Sequence, residues 1–209
     1  MKVLLINGSP HKQGCTFTAL TEVASAIADA TIDTEIFHIG SQPLRGCCGC
    51  KVCRKDNINR CAFDDDCVNI ALAKAKEADG FVFGSPVHFA GASGSITSFL
   101  DRLFYAGSGF FAYKPGAAIV TCRRGGATAA VEQLNKYFMY AQMPVVSSQY
   151  WNMAHGNTPQ ELVQDAEGMQ IMRVLGKNMT WLLKSIEAGR LANVELPKQE
   201  KKVATNFIR

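Results

Sequence analysis

The chain has 209 residues, of which 47% are hydrophobic and 19% charged, and its formal net charge is +4. A chain of this length forms one domain that buries roughly 70% of the surface of its unfolded form, so a core can stabilise it without disulfides. The composition excludes a disordered chain, and the mild, unclustered charge disfavours nucleic acid as a partner. No apolar run is long enough to span a bilayer and the start lacks a signal-peptide pattern, so we expect a cytoplasmic protein without a membrane partner.

The first predicted strand, residues 3–6, is a continuous apolar run, and a loop of small residues follows it over residues 7–18. A loop that ends a strand and restarts as a helix presents backbone N–H groups and a helix N-terminus to one point. Its hydroxyl and cationic side chains are Ser9, His11, Lys12 and Thr16. The spacing matches neither a Walker loop nor G-x-G-x-x-G. The loop therefore indicates either a cradle for a phosphomonoester or an ordinary turn.

The remaining predicted elements alternate between helix and strand. Helical periodicity predicts the helices, and short apolar or alternating runs predict the strands. In chain order they are a helix over 16–30, a strand over 34–39, a helix over 67–78, a strand over 80–84, a helix over 96–105, a strand over 117–122, a helix over 127–140, a strand over 144–148 and one long helix after Pro159. Five strands that alternate with five helices specify an α/β fold with a parallel sheet. A ligand of such a sheet binds beyond the carboxyl ends of the strands.

Three motifs stand at the ends of the first, third and fourth predicted strands. They are Asn7-Gly8-Ser9-Pro10 with Gly14-Cys15-Thr16, then Gly84-Ser85-Pro86-Val87-His88-Phe89, and then Gly125-Gly126. Together they resemble the FMN-contacting loops of the flavodoxin-like NAD(P)H-dependent FMN reductases, and the resemblance extends from Lys2 to about Gly189. It implies a flavodoxin-like three-layer sandwich, in which a five-stranded parallel sheet of order 2-1-3-4-5 carries helices on both faces. It also implies an FMN-binding domain over residues 1–189, with a cysteine-rich loop over 46–66 before the second helix, and a polar C-terminal tail over 190–209.

The same resemblance implies noncovalently bound FMN and a homodimer or homotetramer whose partner subunits help to cover the flavin. The cofactor-binding residues that it implies are Ser9, His11, Cys15, Thr16, Phe17, Ser85, Pro86, Val87, His88, Phe89, Gly125 and Gly126. Cys15 stands where the family commonly has Asn, and His88 stands where it commonly has Tyr. The residues alone also allow Phe89 to be a core side chain, His88 an exposed loop histidine, and His155 either a flavin-site or a turn residue.

The cysteine-rich loop contains the run Cys47-x-x-Cys50-x-x-Cys53, and Cys61 follows it after seven residues. Such runs let thiolates converge on a metal ion or a cluster, and a reducing compartment disfavours a disulfide framework. The run resembles that of the iron–sulfur flavoproteins, with a stretched final spacing. The resemblance implies a [4Fe–4S] cluster held by these four cysteines. Thiols without a metal, or a zinc site, are the alternatives that the residues leave open.

The function implied by the resemblance is an oxidoreductase. FMN would accept a hydride from NAD(P)H and pass electrons to a quinone, a nitro or azo compound, a flavin or a carrier protein. No catalytic side chain is required, because the flavin carries the chemistry. The first alternative is an iron–sulfur flavoprotein that exchanges single electrons with a ferredoxin-like carrier. The second is a flavin-binding regulator with little turnover.

Overall fold

The computed structural model of the protein describes residues 1–27, 31–201, 203–205 and 207, without the side chains of residues 56 and 57. The strands are β1 (Lys2–Asn7), β2 (Asp33–His38), β3 (Gly80–His88), β4 (Gly91–Ala92), β5 (Gly116–Cys122) and β6 (Met153–His155). The helices are α1 (Cys15–Ile27), α2 (Val68–Glu77), α3 (Gly94–Ala106), α4 (Ala127–Tyr140), α5 (Pro159–Leu162) and α6 (Ala166–Leu191), with a 3-10 helix over Val52–Asn57. The predicted end of the first helix, residues 28–30, lies outside the described residues.

Five of the strands form a parallel sheet in the order β2-β1-β3-β5-β6. The short β4 pairs antiparallel with the end of β3. Without β4, the order is 2-1-3-4-5, so the predicted topology is confirmed. The order reverses between β1 and β3, which makes the carboxyl ends of these strands the expected ligand site.

The central strand β1 shows why the sheet is covered on both faces. Leu4 and Ile6 belong to a core formed with α2, α3 and α4, whereas Val3 and Leu5 belong to a second core formed with α1 and α6. Because successive side chains of a strand point to opposite faces, a continuous apolar run fits a strand between two helical layers. The predicted three-layer sandwich is therefore confirmed.

Aromatic rings fill the core beneath α3 and α4. Phe83 of β3 stacks on Phe138 of α4 with 5.1 Å between ring centroids, and Phe104 stacks on Phe111 at 4.3 Å. Such contacts contribute beyond the area that the rings bury. They hold α3 and α4 against the sheet, and so fix where the loops before both helices lie.

The strand predicted over residues 144–148 is wrong, and the fifth parallel strand is β6. In the predicted range, Val145 forms an isolated β-bridge with Gly116. The chain then turns at Ser148, whose hydroxyl donates to the carbonyl of Tyr150 (2.8 Å). A local side-chain hydrogen bond thus replaces the sheet ladder at this edge.

The single long helix predicted after Pro159 is also wrong, because the chain forms two helices there. Thr158 caps α5 by accepting a hydrogen bond from the N–H of Glu161 (3.2 Å). Asp165 caps α6 by accepting one from the N–H of Gly168 (2.9 Å). Each cap satisfies an N–H group that the helix itself leaves without a partner, so the second cap starts a new helix.

Two further element ends differ from the predictions. β3 is longer than the strand predicted over residues 80–84, because Val87 and His88 pair with β4. α6 ends at Leu191, so the predicted domain boundary falls within its last turn. In the part of the chain that the structure describes, no helix combines the length and the apolar character needed to cross a membrane.

Candidate functional site

A cleft of about 750 Å³ lies at the carboxyl ends of β1, β3, β5 and β6. Small-molecule sites typically measure about 300–1,000 Å³. The cleft is lined by Ser9, Pro10, His11, Lys12, Gln13, Gly14, Cys15, Thr16, Pro86, Val87, His88, Thr121, Cys122, Arg123, Gly156, Asn157, Thr158 and Pro159. These lining residues include the cations Lys12 and Arg123 and, among the residues described, no carboxylate. The cleft therefore suits an anionic group.

The loop after β1, residues 8–14, is shaped by a buried asparagine. Asn7 accepts a hydrogen bond from the N–H of Ser9 (3.1 Å), and its amide donates to the carbonyl of Lys12 (3.2 Å). The Ser9 hydroxyl accepts from the N–H of His11 (3.1 Å). From the end of β2, His38 Nε2 lies 2.8 Å from the carbonyl oxygen of Ser9. These bonds hold the loop in one conformation before any ligand binds.

The same loop is fixed to the neighbouring strand and to α3. The N–H of Gly8 donates to the carbonyl of Gly84 (2.9 Å). Ser93, which caps α3, donates its hydroxyl to the carbonyl of Gly8 (3.0 Å) and its N–H to the hydroxyl of Ser85 (3.0 Å). The first and second predicted loops therefore form one hydrogen-bonded unit.

The N-terminus of α1 faces this cleft. The N–H of Thr18 donates to the carbonyl of Gly14 (3.0 Å), so the helix leaves the N–H groups of residues 15–17 without partners within its own turns. Its first turn has no acidic side chain. Thr16 and Thr121 join the helix to β5 through their hydroxyls, 2.9 Å apart. The positive end of the helix dipole and these N–H groups can together bind a phosphate.

Two cysteines line the cleft as thiols. The Cys15 thiol donates to the carbonyl of Gly156 (3.6 Å), and burial raises its pKa. Burial also raises the pKa of Cys122. Because the thiolate is the reactive form, neither side chain is activated as a nucleophile.

The β3–β4 hairpin lies beside the cleft, and the turn between its two strands is strained. Its two central residues, Phe89 and Ala90, have positive φ angles of 48° and 60°. This geometry normally requires Gly or Asn, and each such residue stores about 1–3 kcal/mol of strain. Gly126, at a φ of 89°, packs so closely that an added Cβ would lie 2.6 Å from Ala90 Cα. The hairpin is thus held against the loop that precedes α4.

The structure brings together some of the predicted cofactor residues and separates others from the cleft. Those that line it are Ser9, His11, Cys15, Thr16, Pro86, Val87 and His88. Those outside its lining are Phe17, Ser85, Phe89, Gly125 and Gly126. Ser85 is buried behind the cleft, and Phe89 is fully exposed at the hairpin tip, so its alternative interpretation as a core residue is wrong. The assignment of these residues to FMN stays a prediction.

Several cleft residues were not predicted. Thr121 and Arg123 come from β5 and the loop after it, and residues 156–159 come from the loop after β6. His155 itself turns to Asp165, whose carboxylate accepts from the His155 N–H (2.7 Å) and lies 3.5 Å from Nδ1. A polar residue directly after a buried strand is the signal that could have identified Arg123.

A second pocket, here called the thiol pocket, lies between the cysteine-rich loop and α3. It is lined by Cys47, Cys48, Cys50, Lys51, Cys53, Cys61, Ala62, Phe63, Arg102, Tyr105 and Ala106. The four predicted ligands therefore share one pocket. Cys67 lies outside the lining of this pocket. Its thiol donates to the carbonyl of Ile39 (3.3 Å), and burial raises its pKa to about 11.

The cysteine-rich loop is fastened to the helices beneath it. The Asn69 side chain accepts from the N–H of Cys61 (2.9 Å) and donates to the carbonyls of Cys61 (3.1 Å) and Phe63 (3.0 Å). The guanidinium of Arg54 stacks on the ring of Tyr105, 4.4 Å from its centroid. The loop therefore has a defined position over α3.

The thiol geometry differs from that of a site for one metal ion. Among the residues described, no three His, Cys, Asp or Glu side chains form a group that could hold a single ion. Zinc requires such convergence, because its four ligands meet at one atom. A [4Fe–4S] cluster differs in this respect, since each cysteine binds a separate iron atom around the cluster. Cys47, Cys50, Cys53 and Cys61 line one pocket, so the residue types at this pocket match the four-cysteine ligand set of a cluster.

Several known proteins have sequences similar to this chain. The sequence model of the NADPH-dependent FMN reductase family matches residues 1–158. An iron-sulfur flavoprotein of Methanocaldococcus jannaschii is 33% identical over 195 residues, which cover 90% of this chain and 100% of that protein. An iron-sulfur flavoprotein of Archaeoglobus fulgidus is 30% identical over 83% of this chain and 86% of its own length.

Solved structures show the same fold. RosB, with bound 8-demethyl-8-formylriboflavin-5'-phosphate, has a TM-score of 0.68 at 16% identity, covering 100% of this chain and 94% of its own. A flavodoxin from the domain Archaea has a TM-score of 0.58 at 15% identity, covering 88% of this chain and 99% of its own. The predicted flavodoxin-like fold is confirmed. With its family match and its relatives, the chain belongs to the NADPH-dependent FMN reductase family of flavodoxin-like flavoproteins.

Proposed function

We propose that this chain is an iron–sulfur flavoprotein that binds FMN in the cleft and a [4Fe–4S] cluster in the thiol pocket, and that transfers electrons between a carrier protein and an acceptor. The observation that carries the proposal is that Cys47, Cys50, Cys53 and Cys61 line one pocket on α3. The names of the relatives from M. jannaschii and A. fulgidus support it. A bound cluster supplies one-electron transfer.

The FMN phosphate is assigned to the loop after β1. The N–H groups of Cys15 and Thr16, the hydroxyl of Ser9 and the ammonium of Lys12 are the donors available to it. Pro86, Val87 and His88 form the wall for the ring. Bound FMN supplies both hydride and one-electron chemistry, so the chain has only to bind and orient it.

Helix α3 connects the two sites. Its cap, Ser93, contacts Gly8 and Ser85 beside the cleft, and Arg102 lines the thiol pocket. Arg102 is nine positions after Ser93, which corresponds to about 14 Å of helix axis. Because α3 contacts both sites, it fixes the separation between them.

Iron and acid-labile sulfide analysis of anaerobically purified protein tests the cluster. We expect about four irons per chain and broad visible absorbance beneath the flavin bands. Cys50→Ser should lose iron, whereas Cys48→Ser, an exposed neighbour in the same pocket, should retain it. Equal iron contents in the two variants, or an iron-free wild type after reconstitution with iron and sulfide, would contradict the assignment.

Comparison of FMN with riboflavin tests the cleft, because the two differ only in the phosphate. A charge-assisted hydrogen bond contributes about 1.5–3 kcal/mol, so FMN should bind at least roughly tenfold more tightly. Lys12→Gln should weaken FMN binding and leave riboflavin binding unchanged. Flavin fluorescence quenching measures both affinities, and equal affinities for FMN and riboflavin would contradict this phosphate site.

NAD(P)H is the second candidate for the electron source. The cleft has a volume of about 750 Å³, and Arg123 adds a cation to its lining. A nicotinamide donor, with quinones, nitro or azo compounds or free flavin as acceptors, would then use this opening. Anaerobic mixing with NADH and with NADPH tests it through bleaching of the flavin. If neither donor nor a reduced ferredoxin bleaches it, the regulatory alternative replaces the oxidoreductase.

A homodimer or homotetramer remains part of the proposal. Tyr150 and Trp151 pack edge to face at the sheet edge and are about half exposed, and Trp181 on α6 is 70% exposed. Exposed aromatic surface of this kind is typical of interfaces. Analytical ultracentrifugation should detect the oligomer, and a monomer at micromolar concentration would contradict it.

A further inference from the structure

Arg102 is a buried cation that the flavin chemistry does not use. It lies in the last turns of α3, and only 2% of it is exposed. A charged side chain is almost never buried to this extent without partners, because removing it from water is costly. Its partners therefore indicate what the position requires.

Among the described residues, the hydrogen-bond partners of Arg102 all lie on or beside the cysteine-rich loop. Nε donates to the sulfur of Cys61 (3.3 Å), Nη2 donates to the carbonyl of Phe63 (3.2 Å), and Nη1 donates to the carbonyl of Arg45 (3.3 Å). Nη1 also forms an ion pair with the carboxylate of Asp66. The planar guanidinium thus uses each of its three nitrogens on this one segment, which a lysine could not do.

The Asp66 ion pair differs from its neighbours in burial. The side chains of Arg102 and Asp66 are 1% and 9% exposed. The pairs that Asp65 and Asp64 form with Arg45 and Arg60 are more than half exposed. Water screens exposed pairs but screens a buried pair much less. The charges of Arg102 and Asp66 are therefore less screened than those of the exposed pairs.

A charge beside a cluster changes how readily the cluster is reduced. Reduction adds one negative charge, so a nearby cation and N–H donors to a ligand sulfur favour the reduced state. A nearby carboxylate has the opposite effect. Because Arg102 donates directly to Cys61, a predicted ligand, its charge acts at close range, and Asp66 partly offsets it.

We propose that Arg102 is a positioning residue that sets the reduction potential of the cluster, raising it through the hydrogen bond to Cys61, and that Asp66 moderates this effect. The inference rests on the proposed cluster. It goes beyond that proposal, because it assigns the potential to an ion pair outside the ligand set. A merely structural clamp between α3 and the loop is the competing explanation.

Redox titration of the reconstituted protein, followed by electron paramagnetic resonance of the reduced cluster, separates the two explanations. Asp66→Asn is nearly isosteric and keeps the Oδ1 atom that accepts from the N–H of Val68 (3.1 Å). We expect its cluster potential to rise above wild type. Arg102→Gln should lower the potential, and Arg102→Lys, which keeps the charge, should lie between Gln and wild type.

Controls make each failure recognisable. Arg173→Gln removes an exposed arginine that pairs with Glu22 on α1, and its cluster potential should equal that of wild type. If Arg102→Gln fails to hold the cluster, Asp66→Asn and Arg102→Lys still test the sign. Shifts in the same direction in the Asn and Gln variants, or an unchanged potential in Arg102→Gln, would overturn the role of Arg102. An unchanged potential in Asp66→Asn would overturn the moderation by Asp66. A wild type that binds no iron or sulfide would instead overturn the cluster.

Discussion

Replacing Gly126 with alanine tests whether the third loop holds the β3–β4 hairpin in place. Gly126 has a φ of 89°, and a Cβ there would lie 2.6 Å from Ala90 Cα and 3.0 Å from Val87 Cγ1. Gly125 is a matched control, because a Cβ at that position would meet no atom within 4 Å. The two variants therefore add the same methyl group to neighbouring residues in different environments.

The expected magnitude follows from three contributions. The left-handed conformation costs alanine about 1–2 kcal/mol, and overlap with the hairpin backbone adds about 1–3 kcal/mol. The reduced entropy of the unfolded chain offsets about 0.4–1 kcal/mol. Gly126→Ala should therefore lose about 1–4.6 kcal/mol of unfolding free energy, or roughly 2–18 °C in Tm for a chain of this size. Gly125→Ala should stay within about 0.5 kcal/mol of wild type.

Urea unfolding of the flavin-free protein measures this difference without any contribution from the cofactor. A titration with FMN then shows whether displacement of the hairpin weakens binding, since Val87 and His88 line the cleft. We expect Gly126→Ala to bind FMN more weakly than Gly125→Ala. If the two flavin-free variants unfold at the same urea concentration, the close contact between Gly126 and Ala90 does not hold the hairpin, and the reasoning is refuted.

Two predictions concern stability away from the cleft. Lys2 and Lys74 pair with Glu35 at 2.8 and 2.6 Å and hold its pKa below the usual value. This stabilisation is present above the usual pKa of glutamate and is lost as the pH falls through the lowered pKa of Glu35. Between about pH 6 and pH 3, wild type should therefore lose more unfolding free energy than Glu35→Gln. Parallel pH profiles of the two proteins in urea titrations would contradict this. Phe83→Ala removes a fully buried ring that stacks on Phe138, and should cost about 3–5 kcal/mol in the same assay, whereas a loss below 1 kcal/mol would show that the core repacks.

The central strands were predictable because each of them is a run of consecutive apolar residues. β1 and β5 are apolar runs that lie between two helical layers, so no partner needs to be known to recognise them. The helix predicted over 127–140 has the bounds of α4 for the same reason, since one face of it is regularly apolar. β6 could not be found this way, because three residues carry no periodicity and its pairing with β5 is a tertiary contact.

The loop after β1 was predictable in its composition and not in its contacts. Small residues and Ser9 indicate backbone N–H groups that are open to a phosphate. The contact of His38 with Ser9, and that of Ser93 with Gly8, join residues 29 and 85 positions apart. Such pairs depend on strand order, which only the resemblance implied. The contacts of Asn7 were in part predictable, because a polar residue at the end of a buried strand requires hydrogen-bond partners for its amide.

One half of the ion pair beside the thiol pocket could be predicted from the sequence near Arg102, whereas its partner depends on the tertiary fold. In α3, Arg102 lies three residues after Phe99 and four before Ala106, on the face that the helical period assigns to the core. A cation on that face requires a buried anion, and three consecutive aspartates, residues 64–66, are available far away along the chain. The sequence does not show which of these aspartates pairs with Arg102. In the fold, two of them pair with exposed arginines, and Asp66 pairs with Arg102. Burying the charge of Arg102 is costly, and Asp66 offsets this cost only when the cysteine-rich loop lies on α3. The position of the loop, and of Cys61 within it, therefore depends on Arg102.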